Sequence, residues 1–153
     1  MIYTIGYQRL NPSTLAALLD ALQVQLLIDV RSSPNSRKPG FSRKALETQL
    51  GLRYEWRGDR LGGRGDGPTK AGLDELAGET RTVMLMCLEH LPGDCHRYHA
   101  IAVPLFDRGI ECRHIVDAEV VPTAEVMRAM HSEARGAIRY SAFSLPDVIA
   151  SLA

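Results

Sequence analysis

The chain has 153 residues, 45% of them hydrophobic and 24% charged, with 18 Lys/Arg against 18 Asp/Glu and a formal net charge of zero. That length fits one domain with a proper core and is short for two, and the neutral balance excludes a protein that coats nucleic acid by charge alone. No apolar run approaches the ~18 residues of a membrane-spanning helix, and the opening MIYTIGYQRL lacks the basic, apolar, small-residue order of a signal peptide, so a cytoplasmic protein with no membrane partner is expected.

IYTIG (2–6) predicts a short apolar strand ended by Gly6. NPSTLAALLDAL (11–22) predicts a helix: Asn11 caps it, Pro12 takes the first helical position, and Leu15, Leu18, Leu19 and Leu22 recur at helical spacing. VQLLIDV (24–30), closed by Asp29, has the unbroken apolar character of a strand buried on both faces. A polar Pro/Gly loop (31–40), a helix from a Ser cap (41–50) and a third strand at LRYEW (52–56) follow. RGDRLGGRGDGP (57–68) reads as a glycine-rich loop and 69–78 as a short helix. TVMLMCL (82–88) predicts a second buried strand, 95–109 a helix ending at Gly109, and 110–116 another strand. Pro104 removes a backbone donor inside that helix and predicts a kink or an early break. The tail holds an acid-and-Met helix near 123–134 and an apolar segment near 143–152.

Strands alternating with helices predict βαβ units. The expected fold is therefore a single Rossmann-like three-layer α/β domain over 1–153, with a mostly parallel sheet and helices on both faces. Residues 1–117 would form its core and 118–153 a C-terminal helical extension. Such sheets bind ligands beyond the carboxyl ends of their strands. Three polar clusters fall at such ends: Asp29–Arg37, the glycine-rich loop, and Cys87–Arg97. If their strands are neighbours, the clusters meet at one edge.

The third cluster carries the most chemistry. In LMCLEHLPGDCHRYHAIA (85–102), Cys87 closes a strand while Cys95, His96 and Arg97 open a helix. A helix N-terminus favours an anion and lowers a thiol pKa, and the thiolate is the reactive form. Cys87 or Cys95 is thus a candidate nucleophile, with His96 or Glu89 available for proton transfer. The competing structural reading makes Cys87 a small apolar strand residue and Cys95 a cap. Three cysteines, counting Cys112, do not make a paired disulfide framework. A zinc reading would take Cys87, His90, Cys95 and either His96 or His99, but the spacing C-x2-H-x4-C-x3-H is unfamiliar, so neither metal nor cofactor is expected.

The other two clusters read as anion contacts. Residues 31–70 hold ten Lys/Arg against four acids, a local +6, and arginine outnumbers lysine fifteen to three over the chain, a bias that genome composition alone also produces. Arg31 and Arg37 flank a Ser-rich turn suited to an anion, with Ser32, Ser33 and Ser36 as further donors. Asp29 is expected to order its loop. GGRGDGPTK is not a P-loop, because Pro68 stands where Lys is needed, although bare backbone at Gly62 and Gly63 either approaches a ligand or makes a turn.

TIGYQ, LLIDVRSSPNSRKPGF, LGG, LMCLE, CHR and RHI occur in the order found in a bacterial and phage family, domain of unknown function 488 (DUF488), which the chain resembles over roughly 1–117. The resemblance singles out Asp29, Arg31, Pro34, Ser36, Arg37, Leu61, Gly62, Gly63, Cys87, Glu89, Cys95, His96, Arg97, His114 and Ile115, with His114 as a structural residue near the site. His90 and His99 lie outside that pattern. LLIDVR and the later strand–Cys–helix unit look more loosely like rhodanese domains. Arg97, however, is ten residues after Cys87, too far for the tight cradle of N–H groups that carries a persulfide.

Two functions are expected to compete. The first is a cysteine-dependent enzyme, using Cys87, Glu89, Cys95 and His96. Its small anionic substrate, a nucleotide or nucleic-acid end, would be held by Arg31, Ser36, Arg37, Gly62, Gly63 and Arg97, with Tyr54, Trp56 and Tyr98 available to stack a base. The second is a binding module with structural thiols. A zinc-stabilised interaction domain is a weaker third, and a homodimer is compatible with all three.

Overall fold

The computed structural model describes residues 1–131 and 142–153. The elements run β1 (Ile2–Gly6), α1 (Pro12–Ala21), β2 (Leu26–Asp29), α2 (Arg43–Leu50), β3 (Tyr54–Trp56), α3 (Gly58–Leu61), α4 (Lys70–Ala77), β4 (Val83–Cys87), a π-helical stretch (Arg97–Ala102) continuing into α5 (Val103–Asp107), β5 (Cys112–Val116), β6 (Glu119–Pro122), α6 (Thr123–Met130), β7 (Phe143–Ser144) and α7 (Leu145–Ser151). The two expected caps are in place, and Thr69 adds a third: Asn11, Ser42 and Thr69 each accept a backbone N–H three residues on.

The sheet order is β3-β2-β4-β1-β5-β6-β7. The first five strands are parallel and the last two antiparallel, giving the expected three-layer α/β architecture. Period-two alternation divides the core. Val83, Leu85 and Cys87 of β4 face the layer that carries Leu73, Leu76, Tyr98, Ile101, Leu105 and Val126. Met84 and Met86 face Leu15, Leu19, Leu46 and Leu145 on the other side. Cys87 thus points into the same layer as the helix that follows it.

Three expectations change. The glycine-rich loop contains the one-turn helix α3, and the helix expected over 95–109 begins as a π-helical stretch. Pro104 explains the second: it cannot donate to a carbonyl one turn back, and its ring would collide with it, so the backbone widens before Pro104 and resumes α geometry around it. The tail is not purely helical. Asp117 takes a left-handed conformation (φ 52), and the two-residue turn Asp117–Ala118 returns β6 along β5 with Val116 opposite Glu119; β7 then pairs with β6. Residues 132–134 of the helix expected at 123–134 lie outside the described residues.

Candidate functional site

β2, β4 and β1 are neighbours, with Asp29 opposite Met86 and Cys87 opposite Gly6. The loops that follow them therefore converge. They enclose a pocket of about 360 Å³ lined by Tyr7, Arg31, Ser32, Ser33, Asn35, Gly63, Arg64, Cys87, Leu88, Glu89 and His96, within the ~300–1,000 Å³ usual for small-molecule sites. Of the residues singled out by sequence, Cys87, Glu89, His96, Arg31 and Gly63 line it, with Cys95 buried just behind.

One wall is a closed ion-pair network. Asp29 is fully buried and accepts from Arg31 Nε (2.8 Å), Arg31 Nη2 (2.6 Å), the Arg31 backbone N–H (3.1 Å) and Tyr54 O–H (2.6 Å). Arg31 also donates to Phe41 O at 2.7 Å and to Tyr7 O–H at 3.2 Å. Tyr7 stacks on Phe41 with ring centroids 4.6 Å apart. The guanidinium of Arg31 is thus spent on the fold and offers no free fork to a ligand.

The other wall is the thiol corner. Cys87 Sγ lies 3.7 Å and Cys95 Sγ 3.9 Å from His96 Nδ1. His96 Nε2 lies 3.0 Å from Val30 O and 3.1 Å from Leu61 O. Carbonyls only accept, so Nε2 carries a proton, and in the neutral ring the Nδ1 lone pair faces the two sulfurs. Gly63 makes that placement possible: a Cβ there would stand 2.6 Å from His96 Cγ and 2.9 Å from Nδ1. Gly62 is likewise a close-packing position, against Ser32 and the Gly58 carbonyl.

The charge in this corner settles on Cys95. Its pKa is pulled far down, first by the hydrogen bond from Cys87 and then, against burial, by His96 and by Arg97, whose N–H approaches Sγ to 3.5 Å. Cys87, sharing a proton with that thiolate and also buried, is held well above the ordinary thiol value. Burial disfavours charge on His96, but the Cys95 thiolate, together with the Val30 and Leu61 carbonyls, offsets it and raises the imidazole pKa. Burial, with the neighbouring Cys95, also raises Glu89. Its Oε2 is enclosed without a hydrogen-bond donor among the described residues.

Arg97 departs from its expected anion-binding role. It is fully buried and donates to Glu89 O (2.6 Å), His90 O (3.1 Å) and Thr4 Oγ1 (3.2 Å). It therefore positions the loop that carries Glu89. Behind it runs a directional chain. Thr4 Oγ1 accepts from Arg97, so its own proton goes to His114 Nδ1 at 2.6 Å. His114 Nε2–H then donates to Thr123 Oγ1 (3.1 Å), which donates to Cys112 O (3.1 Å). His114 is thereby fixed in its neutral form, away from the pocket.

Ser36 is also diverted, accepting from Tyr7 O–H and Lys38 N–H. Arg37 is exposed, does not line the pocket, and has no hydrogen bond or ion pair among the described residues. The +6 segment does not form a basic face. Arg43 pairs with Glu47, Arg53 with Asp20, Arg57 with Glu55 and Glu79, and Arg60 with Glu55, Asp59 and Glu75. Arg64 supplies the cation that sequence reasoning missed: it is exposed on the rim, with no ion pair among the described residues. Its place next to LGG was the available signal. The histidines of the four-ligand zinc reading are separated too. His90 Nε2 lies 3.2 Å from Asp117 and His99 Nε2 2.6 Å from Gly93 O, leaving Cys87, Cys95 and His96 together.

A family model described as Domain of unknown function DUF488 matches residues 12–72. Over those residues the chain is similar to DUF488. The matched DUF488 segment runs from α1 into α4 and so supplies the Asp29–Arg31 wall, Gly62 and Gly63, whereas the thiol corner lies beyond it. No curated protein and no solved structure matches the chain. Among the described residues, no helix is long and apolar enough to cross a membrane.

Proposed function

We propose that the protein is a cysteine-dependent enzyme acting on a small anionic substrate, a nucleotide or nucleic-acid end, in the pocket between the DVRSSPNSR and CLEHLPGDCHR loops. The observation that carries this reading is a pocket-lining thiol, Cys87, beside an imidazole whose Nδ1 is aimed at it by two backbone carbonyls.

In this mechanism Cys87 stays protonated until substrate arrives, because Cys95 already holds the negative charge. As Sγ attacks the electrophilic centre, His96 Nδ1 takes its proton, and the Cys95 thiolate 3.9 Å away stabilises the imidazolium that forms. Glu89, kept neutral more readily by its burial, gives a proton to the leaving group. It then accepts one from the water that releases the covalent adduct. Arg64, with the amide of Asn35 and the hydroxyl of Ser33, replaces the expected Arg31–Arg37–Arg97 trio at the substrate anion. A reducing, cytoplasmic setting suits three free thiols.

The test is a screen of phosphorylated small molecules with the wild-type protein, followed by Cys87→Ser. Loss of turnover with retained binding supports the enzyme. Binding without turnover in the wild type makes the pocket a recognition module.

A further inference from the structure

We propose that Cys87, Cys95 and His96 also form a three-ligand cradle for one thiophilic divalent cation of the zinc class, with its fourth position open to the pocket. Tetrahedral zinc with Zn–S of about 2.3 Å and Zn–N of about 2.0–2.1 Å sets its sulfur and nitrogen ligands about 3.6 Å apart. The two sulfurs here stand 3.7 and 3.9 Å from His96 Nδ1, and the three ligand atoms all lie within 4.8 Å of one another. Both sulfur–nitrogen spacings are already close to those of a coordination shell.

The surroundings point the same way. Metal-binding histidines characteristically donate their other ring N–H to a carbonyl or carboxylate, which fixes the tautomer and turns the lone pair to the ion. His96 does this twice, to Val30 and Leu61. Cys95 Sγ accepts the Arg97 N–H, a contact that steadies a thiolate ligand. Cys87 and His96 line the pocket and Cys95 closes the cradle from behind, so an ion bound by all three faces the cavity. Glu89 lines the same cavity with a buried Oε2 that has no donor among the described residues, and a water on the open position supplies one. Nitrogen and sulfur donors in tetrahedral array select zinc over harder cations.

The cation and the substrate compete for the same lone pairs. Both cysteines bind as thiolates, and coordination occupies the Cys87 electron pair that would attack. The loaded protein is a resting form and the stripped protein the reactive one. This regulatory role rests on the thiol reading proposed above, whereas the binding itself does not.

The experiment is a cobalt titration of chelator-stripped, full-length protein, followed by zinc displacement. We expect saturation at one equivalent, with the visible bands of tetrahedral cobalt and the near-ultraviolet band of thiolate coordination. Cys112→Ser retains both. Cys87→Ser and His96→Ala weaken binding by more than the roughly 10–100-fold typical of losing an outer-shell partner. Absence of a saturable thiolate band in the wild type, which requires no variant to fold, overturns the inference, as does an undiminished band in Cys87→Ser. A parallel arm measures iodoacetamide labelling of native Cys87. Zinc is expected to suppress it and a chelator to restore it, and labelling indifferent to saturating zinc overturns the regulatory role. A stripped protein in which Cys87 never labels refutes the thiol reading instead, and the cobalt titration still decides the cradle.

Discussion

Gly63→Ala puts the packing of the thiol corner to a direct test. Gly63 does not take a left-handed conformation, so alanine brings no backbone strain and acts through its methyl group alone. That methyl would meet His96 Cγ at 2.6 Å, Cβ at 2.8 Å and Nδ1 at 2.9 Å, against about 3.5–4.0 Å for an ordinary carbon contact. The ring or the loop has to yield by roughly 1 Å, and a shift of that size disturbs the Nε2 bonds to Val30 and Leu61 and the aim of Nδ1 at both sulfurs. Overpacking costs about 1–3 kcal/mol and the weakened bifurcated hydrogen bond about 1 kcal/mol more. With a urea dependence near 2 kcal/mol per M, the unfolding midpoint should fall by roughly 1–2 M, and native labelling of Cys87 should slow with it. Gly78→Ala is the control: a Cβ there meets nothing nearer than 3.6 Å, and its effect should stay within about 0.5 kcal/mol. A Gly63→Ala protein as stable as wild type, with unchanged labelling, would refute the claim that this glycine exists to seat His96.

Other substitutions probe the remaining parts. Asp29→Asn leaves the Arg31 guanidinium, 5% exposed, without its counter-charge, and should cost about 3–5 kcal/mol in urea unfolding; Tyr54→Phe, losing one hydrogen bond to that carboxylate, should cost about 1.5–3 kcal/mol. His114 predicts a pH dependence. Burial first, and then the Arg97 charge, lower its pKa from 6.5 to about 3, so below pH 6.5 the unfolded chain binds the proton more readily than the folded one. The stabilisation is complete above that pH and is lost progressively as pH falls toward 3, reaching on the order of 2–3 kcal/mol by pH 4.5. His114→Gln should flatten that part of a stability-versus-pH curve. Arg64→Ala should raise KM for a phosphorylated substrate while leaving stability within about 0.5 kcal/mol of wild type; an unchanged KM removes Arg64 from the anion site.

Much of the core was legible because its signals are local. Asn11 and Ser42 mark helix starts by cap chemistry, and VMLMC is apolar throughout because β4 is covered on both faces. What escaped were elements set by tertiary pairing. β6 is four residues long and follows a turn whose left-handed residue is Asp117 and not the glycine that usually announces a tight hairpin. β7, with two residues, is defined only by its partner. At the site, strand ends told which residues would meet, but not where long side chains would point. Arg97 sits at a helix start in the sequence, as an anion ligand would. Yet its guanidinium runs inward to two carbonyls and Thr4, a residue 93 positions away. The tautomer of His96 was equally invisible, since the carbonyls that fix it belong to residues 66 and 35 positions distant.

The most direct measurement is limiting iodoacetamide labelling of chelator-stripped native protein at neutral pH, with the modified cysteine identified by mass spectrometry and the rate compared in His96→Gln. The proposed chemistry predicts that Cys87 labels before Cys95 and Cys112, and that His96→Gln slows it at least about tenfold, a tenth or less of the ~10²–10⁴ expected of a general base. Labelling of Cys87 only after denaturation, or at a rate indifferent to His96, would contradict it.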